Sequence, residues 1–205
     1  DDALPGGYSQ VFGLAFPIVI SRISQTIMTV VDTAMVGRLG SIEVASVGLA
    51  GILSGTAFAF CFGFLNSVNT YVAQHYGAKE IKTVAIIGWQ GLYLAFLSYL
   101  LLLAFGYLAP TIFGVMNPSD SVQQLGTKYA QIRLWGGIGI VTVIALSGFM
   151  RGVGDTLTPM YIGIIANVIN FIFDYLLIFG HFGFPCLEVE GAAVATVISG
   201  VVAAI

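Results

Sequence analysis

The sequence predicts an all-α, polytopic membrane protein. Of its 205 residues, 58% are hydrophobic and only 8% are charged, and the mean hydropathy is +0.96. Soluble domains carry about 25% charged residues, so this chain lacks the polar surface that a water-soluble globule needs. Its apolar residues come in continuous runs of about 20 or more, enough to cross a hydrocarbon core of about 30 Å. A membrane β-barrel would instead alternate apolar and polar residues over about ten positions.

Six apolar segments follow one another along the chain, with turn-forming clusters between most of them. A transmembrane helix is predicted in each: Val11–Val36, Ile42–Val72, Thr83–Ala109, Tyr129–Phe149, Pro159–Phe179 and Gly191–Ile205. The last segment stops short of a full span, and the first residue is Asp rather than Met. We therefore expect residues 1–205 to be a piece of a longer protein.

Lysine and arginine near the helix ends indicate how the segments cross the membrane. A cytoplasmic N-terminus places one cation, Arg38, outside and three inside: Lys79, Lys82 and Arg151. Two more fall at or within the start of the fourth segment and weaken the count: Lys128 and Arg133. We expect an integral protein of the plasma (inner) membrane with a cytoplasmic N-terminus, and no cofactor or nucleic-acid partner.

Three ionisable residues lie inside the segments: Arg22, Asp32 and Asp174. Each costs roughly 2.5–3.5 kcal/mol at mid-helix on insertion scales, so such residues usually face a cavity or a partner. Asp32 is close enough to Gly37 to be a boundary residue. It could equally serve a proton-coupled transporter, which needs a carboxyl that changes protonation near neutral pH.

The fifth segment carries a polar stripe. Asn167, Asn170 and Asp174 stand at i, i+3 and i+7 and so share one helix face. The asparagines could be interhelical hydrogen-bond partners, and Asp174 could reach water from near the helix end. A functional role is the default for an acid inside a span, so we favour function for Asp174.

The first segment combines an arginine with a proline. Arg22 precedes Asp32 by about 15 Å along a straight helix, so the two cannot pair directly. Arg22 either extends to an interface or another helix, or lines a polar cavity. Pro17 removes the hydrogen bond to the carbonyl of Gly13 and permits a kink.

Several stretches resemble those of the multidrug and toxic compound extrusion (MATE) transporters, within them the DinF-like branch. They are "FPIVISRISQTIMTVVDTAMVGRLGS", "VAQHYGAK", "GFMRGVGDTLTPM", "NVINFIFDYLLIFG" and "VEGAAVATVISG", in the family's order and at its helix boundaries. The resemblance implies the N-terminal six-helix lobe of a two-lobe, twelve-helix transporter whose C-terminal lobe is absent here. It also implies a secondary active antiporter, not an enzyme, that exports small organic compounds in exchange for H⁺ or Na⁺.

The resemblance also implies roles for individual residues. In DinF-like members the positions of Asp32, Asn170, Asp174 and Thr196 form the cation-responsive cluster, and Pro17 is the bending proline. The NorM-like branch lacks the acid matched by Asp174. No metal is implied beyond Na⁺ at this site. The residues expected to line the cavity are Arg22, Gln25, Tyr129 and Asn167.

Two other functions fit parts of the sequence. A lipid-linked oligosaccharide flippase of the same superfamily would carry a cationic cavity for phosphate, for which the sequence offers only Arg22. An intramembrane aspartyl protease would use the "GVGD" stretch, Gly152 to Asp155. Because Asp155 falls in a connecting turn, we expect it to cap the fifth helix with its charge at the positive N-terminal end.

Overall fold

The computed structural model describes residues 8–205, and their regular structure is helical throughout. The chain forms seven α-helices and one short 3₁₀ turn, His181–Gly183. The α-helices are α1 Tyr8–Gly37, α2 Ser41–Gly77, α3 Ile81–Met116, α4 Asp120–Trp135, α5 Ile138–Gly152, α6 Leu157–Phe179 and α7 Glu188–Ala204. The predicted all-α class is confirmed.

Within residues 8–205, four helices are long and apolar enough to cross a membrane: α1, α2, α3 and α6. Helices α4 and α5, which are bent by 47° relative to each other, are long and apolar enough only when taken together. Counted as one span, this pair gives five spans. Helix α7 has 17 residues, fewer than the roughly 20 that a full span needs. The six predicted segments are therefore all helical, and the last is shorter than a span.

The fourth predicted segment differs from the structure. Instead of one helix over Tyr129–Phe149, the chain forms α4 and α5, which begin at Asp120 and are separated at Gly136 and Gly137. A glycine pair is a common site of sharp helix kinks, and neither position has room for a side chain, because a Cβ on Gly136 would collide with Val197. The start of α4 was not predicted because its first half is polar, and the segments were identified as apolar runs.

Two other helix boundaries differ from the predicted ones. Helix α3 does not end at Ala109 but runs through Pro110 to Met116. Neighbouring helices and local adjustments make such a proline tolerable in a membrane helix. Helix α7 begins at Glu188, before the predicted start at Gly191.

The helices pack around α2, which contacts α3, α4 and α5, while α6 and α7 share an extensive interface. Helices α5 and α7 approach each other closely at Gly139. A Cβ placed on Gly139 would stand 2.5 Å from the backbone carbon of Gly200 and 2.5 Å from the backbone nitrogen of Val201. Small residues allow such backbone contact in membrane helices, so Gly139 fixes the spacing of α5 and α7.

Asp155 lies in the turn between α5 and α6, as predicted. Its Oδ1 accepts hydrogen bonds from the backbone N–H groups of Leu157, at 3.1 Å, and Thr158, at 3.0 Å. Hydrogen bonds from the side chain and backbone of Thr158, together with the backbone N–H of Leu157, lower the pKa of Asp155. The carboxylate is therefore a helix cap, with its negative charge at the positive end of α6.

The cap predicts a pH-dependent contribution to stability. A carboxyl whose folded pKa lies below its unfolded value of about 3.9 stabilises the fold at higher pH and loses that effect as pH falls through the folded pKa. We expect Asp155→Ala to lower the unfolding temperature at neutral pH and the difference from the parent protein to narrow below about pH 4. Thermal unfolding of both proteins across this range measures it. A difference that stays constant would show that the charge is not involved.

Candidate functional site

Helices α1 and α6 pack side by side in parallel. Asn167 Nδ2 on α6 donates a hydrogen bond to Ser24 Oγ on α1, at 2.8 Å. Farther along both helices, the carboxyl groups of Asp32 and Asp174 lie within hydrogen-bonding range of each other. Because the paired positions advance in the same direction on both helices, the two run parallel. The polar stripe of α6 therefore faces α1 and not lipid.

The two acids form the centre of the site. Asp174 is 1% exposed and Asn170, one turn before it, is 5% exposed. Asp32 Oδ1, both carboxyl oxygens of Asp174 and Asn170 Nδ2 are buried without a hydrogen-bond partner in residues 8–205. Two carboxylates this close repel each other when both are charged. The arrangement is therefore suited to a proton or a metal cation that neutralises part of the charge.

Arg133 on α4 lies close enough to act electrostatically on both acids. Its Nη1 donates a long hydrogen bond, 3.4 Å, to the hydroxyl of Tyr129, and its guanidinium carbon lies 5.7 Å from the centre of the Tyr129 ring. In the described part of the chain, neither acid takes part in a direct ion pair. Sequence reasoning treated Arg133 only as an orientation signal, although a cation inside the fourth span was itself a signal of function.

Tyr129 is buried and holds Arg133 in place. It belongs to a core cluster that also includes Ile178 of α6 and Ala192 of α7. Ile178 lies one turn beyond Asp174 on α6. The ring and hydroxyl of Tyr129 contact the Arg133 guanidinium.

Thr196 lies on α7, one turn beyond Ala192. Its half-buried hydroxyl donates to the carbonyl of Ala192 in its own helix, at 3.0 Å. Among the described residues it makes no hydrogen bond to Asp32, Asn170 or Asp174. The structure thus brings the two acids and Asn170 together, while Thr196 is bonded within its own helix.

Pro17 is buried in the first half of α1, which continues as one helix through it. The hydroxyl of Ser21 donates to the carbonyl of Pro17, at 2.9 Å. Proline removes one main-chain hydrogen bond, and a Ser or Thr hydroxyl bonded to the carbonyl four residues back tends to bend a helix. Three threonines farther along α1 do the same: Thr26, Thr29 and Thr33.

A polar cavity of about 310 Å³ lies between α1, α2, α5 and α6. Arg22 and Gln25 line it, whereas Tyr129 and Asn167 lie outside its lining. Arg151 at the end of α5 also lines it, although the sequence indicated only a connecting-turn cation there. The cavity is about 15 Å from the acid pair, measured along α1 from Arg22 to Asp32.

The MatE family model matches residues 17–176, which is most of the chain and includes the acid pair. This chain belongs to the MatE family. The comparison confirms the resemblance to MATE transporters. Members of this family are transporters and not enzymes, and with its apolar helices the chain is part of an integral membrane protein.

Curated relatives agree with the family model. The chain is 33% identical over 183 residues to the "Probable multidrug resistance protein NorM" of Shewanella oneidensis, an alignment covering 89% of this chain and 40% of that protein. It is 34% identical over 184 residues to the Bacillus cereus protein of the same name, covering 89% and 40%. The chain thus spans about 40% of the length of these relatives, as the N-terminal lobe of a MATE transporter would.

Solved structures show the same fold. A crystal structure of a MATE protein superposes with a TM-score of 0.86 at 26% sequence identity, covering 95% of this chain and 43% of the other. The described helices therefore have the fold of one lobe of a MATE transporter.

Proposed function

We propose that this chain is the ion-coupling lobe of an antiporter that exports small organic compounds in exchange for H⁺ or Na⁺. The observation that carries the proposal is the contact between Asp32 and Asp174, whose buried oxygens have no hydrogen-bond donor among residues 8–205. The multidrug resistance names of the curated relatives support export of organic compounds. The transporter needs a second lobe, which we propose as the partner of this chain in the inner membrane.

The charge of the cluster suggests how many ions bind. Two carboxylates and the guanidinium of Arg133 leave one net negative charge, so one monovalent cation neutralises the group. A proton would be shared between Asp32 and Asp174. A sodium ion would take the carboxylate oxygens and the amide oxygen of Asn170 as ligands, since hard cations prefer oxygen. In this proposal Thr196 supplies a further oxygen once its hydroxyl turns away from Ala192.

Coupling requires that the ion prefer one conformation of the lobe. Binding between Asp32 and Asp174 removes the repulsion between α1 and α6, so it favours the state in which the two helices are packed together. Loss of the ion favours separation. We propose that α1 then bends near Pro17, where the helix lacks a main-chain hydrogen bond.

Replacing the proline tests the bending step. In Pro17→Ala the restored N–H can donate to the carbonyl of Gly13, which strengthens the helix by up to about 3 kcal/mol. We expect slower export in the complete transporter and tighter apparent ion binding, because the unbent state is the one that binds the ion. Efflux rates and ion-binding titrations on the same preparation measure the two effects, and an unchanged efflux rate would count against the bend.

The function itself is tested in vesicles that contain the complete transporter. We expect efflux of a fluorescent organic cation to be driven by an imposed proton gradient, or, where it is not, by a sodium gradient; repeating the proton experiment in sodium-free medium identifies the ion. Translocation of a lipid-linked sugar, without efflux of the dye, would favour the flippase alternative.

We also propose that the protein belongs to the DinF-like branch of the family. It rests on Asp174, which the NorM-like pattern lacks, whereas the curated relatives described above carry the NorM name. Loss of ion coupling in Asp174→Asn would support the assignment, because a NorM-like site would not depend on an acid at this position.

A further inference from the structure

A second charged site lies in this lobe, at the opposite end of the contact between α1 and α6. It is the polar cavity of about 310 Å³, which we call the arginine cavity, lined by Arg22 from α1 and Arg151 from α5. The two guanidinium groups are close enough to act electrostatically on each other. Like charges held together in this way destabilise each other unless an anion lies between them.

The arginine cavity has no built-in counterion. None of its lining residues is acidic, and neither arginine takes part in an ion pair within residues 8–205. The nearest turn acid, Asp155, uses its carboxylate to accept hydrogen bonds from Leu157 and Thr158. Arg22 Nη1 donates one long hydrogen bond, 3.4 Å, to Gln25 Oε1, and the other N–H groups of both arginines remain available to a ligand.

The rest of the lining is rich in neutral hydrogen-bonding groups. Asn66 and Asn69 come from α2, Ser21 from α1 and Ser147 from α5. The two amides and the Ser147 hydroxyl can donate to an oxyanion, whereas the Ser21 hydroxyl already donates to Pro17. Arginine is suited to bind carboxylate or phosphate with two parallel hydrogen bonds. Three helices, α1, α2 and α5, therefore direct hydrogen-bond donors into one cavity.

From this we infer that the arginine cavity is a binding site for an oxyanion group, a phosphate or a carboxylate, carried by a small organic molecule or a lipid. Its volume of about 310 Å³ equals that of about ten liquid waters, enough for the anionic group and a small attached moiety. If the proposed function holds, such an anion is also a transported substrate, which extends the substrate class beyond organic cations. The lobe would then bind a cation at Asp32 and Asp174 and an anion at Arg22 and Arg151.

Calorimetric titration of the purified complete transporter with phenyl phosphate, an aromatic anion of suitable size, tests the site. We expect saturable binding, and a Kd that rises about tenfold or more in Arg22→Gln or Arg151→Gln, as for loss of a hydrogen bond to a charged group. Arg22→Lys should bind more tightly than Arg22→Gln because it keeps the charge. The matched control Arg38→Gln, in the exposed turn after α1, should bind like the parent protein.

The comparison probe is benzylammonium, which has a similar ring and the opposite charge. Benzylammonium binding as tight as that of phenyl phosphate, or a Kd unchanged in both glutamine variants with normal thermal unfolding, would overturn the inference. Phosphatidic acid in nanodiscs distinguishes the sources of the anion. Competition with phenyl phosphate assigns the site to a lipid phosphate, and lack of competition assigns it to a soluble anion.

The same titration separates this inference from the proposed function. Arginine-dependent binding without any ion-driven export would refute the antiporter and leave the anion site standing. Ion-driven export without phenyl phosphate binding would refute the anion site and leave the antiporter standing.

Discussion

Asp32→Asn in the complete transporter is expected to remove ion-driven export. The amide cannot share a proton with Asp174 as a carboxylate does, and it adds no negative charge to attract Na⁺. Helices α1 and α6 then no longer repel each other when the ion is absent, so the ion has no preference between conformations. We expect the rate to fall by roughly 5- to 150-fold, the range that corresponds to coupling free energies of 1–3 kcal/mol. Dye efflux from vesicles under a proton or sodium gradient measures it.

The matched control is Asp120→Asn, the same substitution at an exposed acid in the first turn of α4. It should export at the parental rate. Asp174→Asn should behave like Asp32→Asn, because one carboxylate alone cannot form the repelling pair. Parental export by Asp32→Asn, in protein that unfolds at the normal temperature, would show that the coupling ion binds elsewhere.

Gly139→Ala is expected to destabilise the lobe although alanine favours helix over glycine by about 1 kcal/mol. The new methyl group would stand 2.5 Å from the backbone of Gly200 and Val201, and backbone atoms cannot rotate away as a side chain can. Overpacking of this kind costs roughly 1–3 kcal/mol, which lowers Tm by about 2–4 °C per kcal/mol in a chain of this size. Thermal unfolding in detergent measures the loss.

Gly63→Ala separates packing from helix propensity. Gly63 is an exposed position inside α2, and a Cβ there would meet no heavy atom within 4 Å. We expect its Tm to equal or exceed that of the parent protein. If both alanine variants shift Tm in the same direction and by the same amount, close contact between α5 and α7 does not contribute to stability.

The polar face of α6 was predictable from the sequence, whereas its contact with α1 was implied only by the family resemblance. The spacing of Asn167, Asn170 and Asp174 defines one helix face, and the cost of a charge in lipid implies that this face has a partner. The structure supplies the partner, with Ser24 opposite Asn167 and Asp32 opposite Asp174. The periodicity of α6 was sufficient to define this polar face, because all three side chains lie on the same side of the helix.

The positions of Arg133 and Arg151 were not predictable in this way. Arg133 acts on acids that belong to α1 and α6, and Arg151 meets Arg22 across a cavity between four helices. Such contacts depend on how the helices pack, which the pattern of one segment does not specify. The break between α4 and α5 was missed for a related reason. An apolar run does not reveal that the side chain of Val197 fills the space beside Gly136.

The pairing of α1 with α6 has a consequence for biosynthesis. Ser24 and Asn167 are 143 residues apart in the chain, so α1 enters the membrane well before α6 exists. At about 5–20 residues per second, the ribosome needs roughly 7–30 s to complete that interval. During this time Asp32 has no Asp174 beside it, and the insertion machinery or water must accommodate a helix that only the later part of the chain can complete.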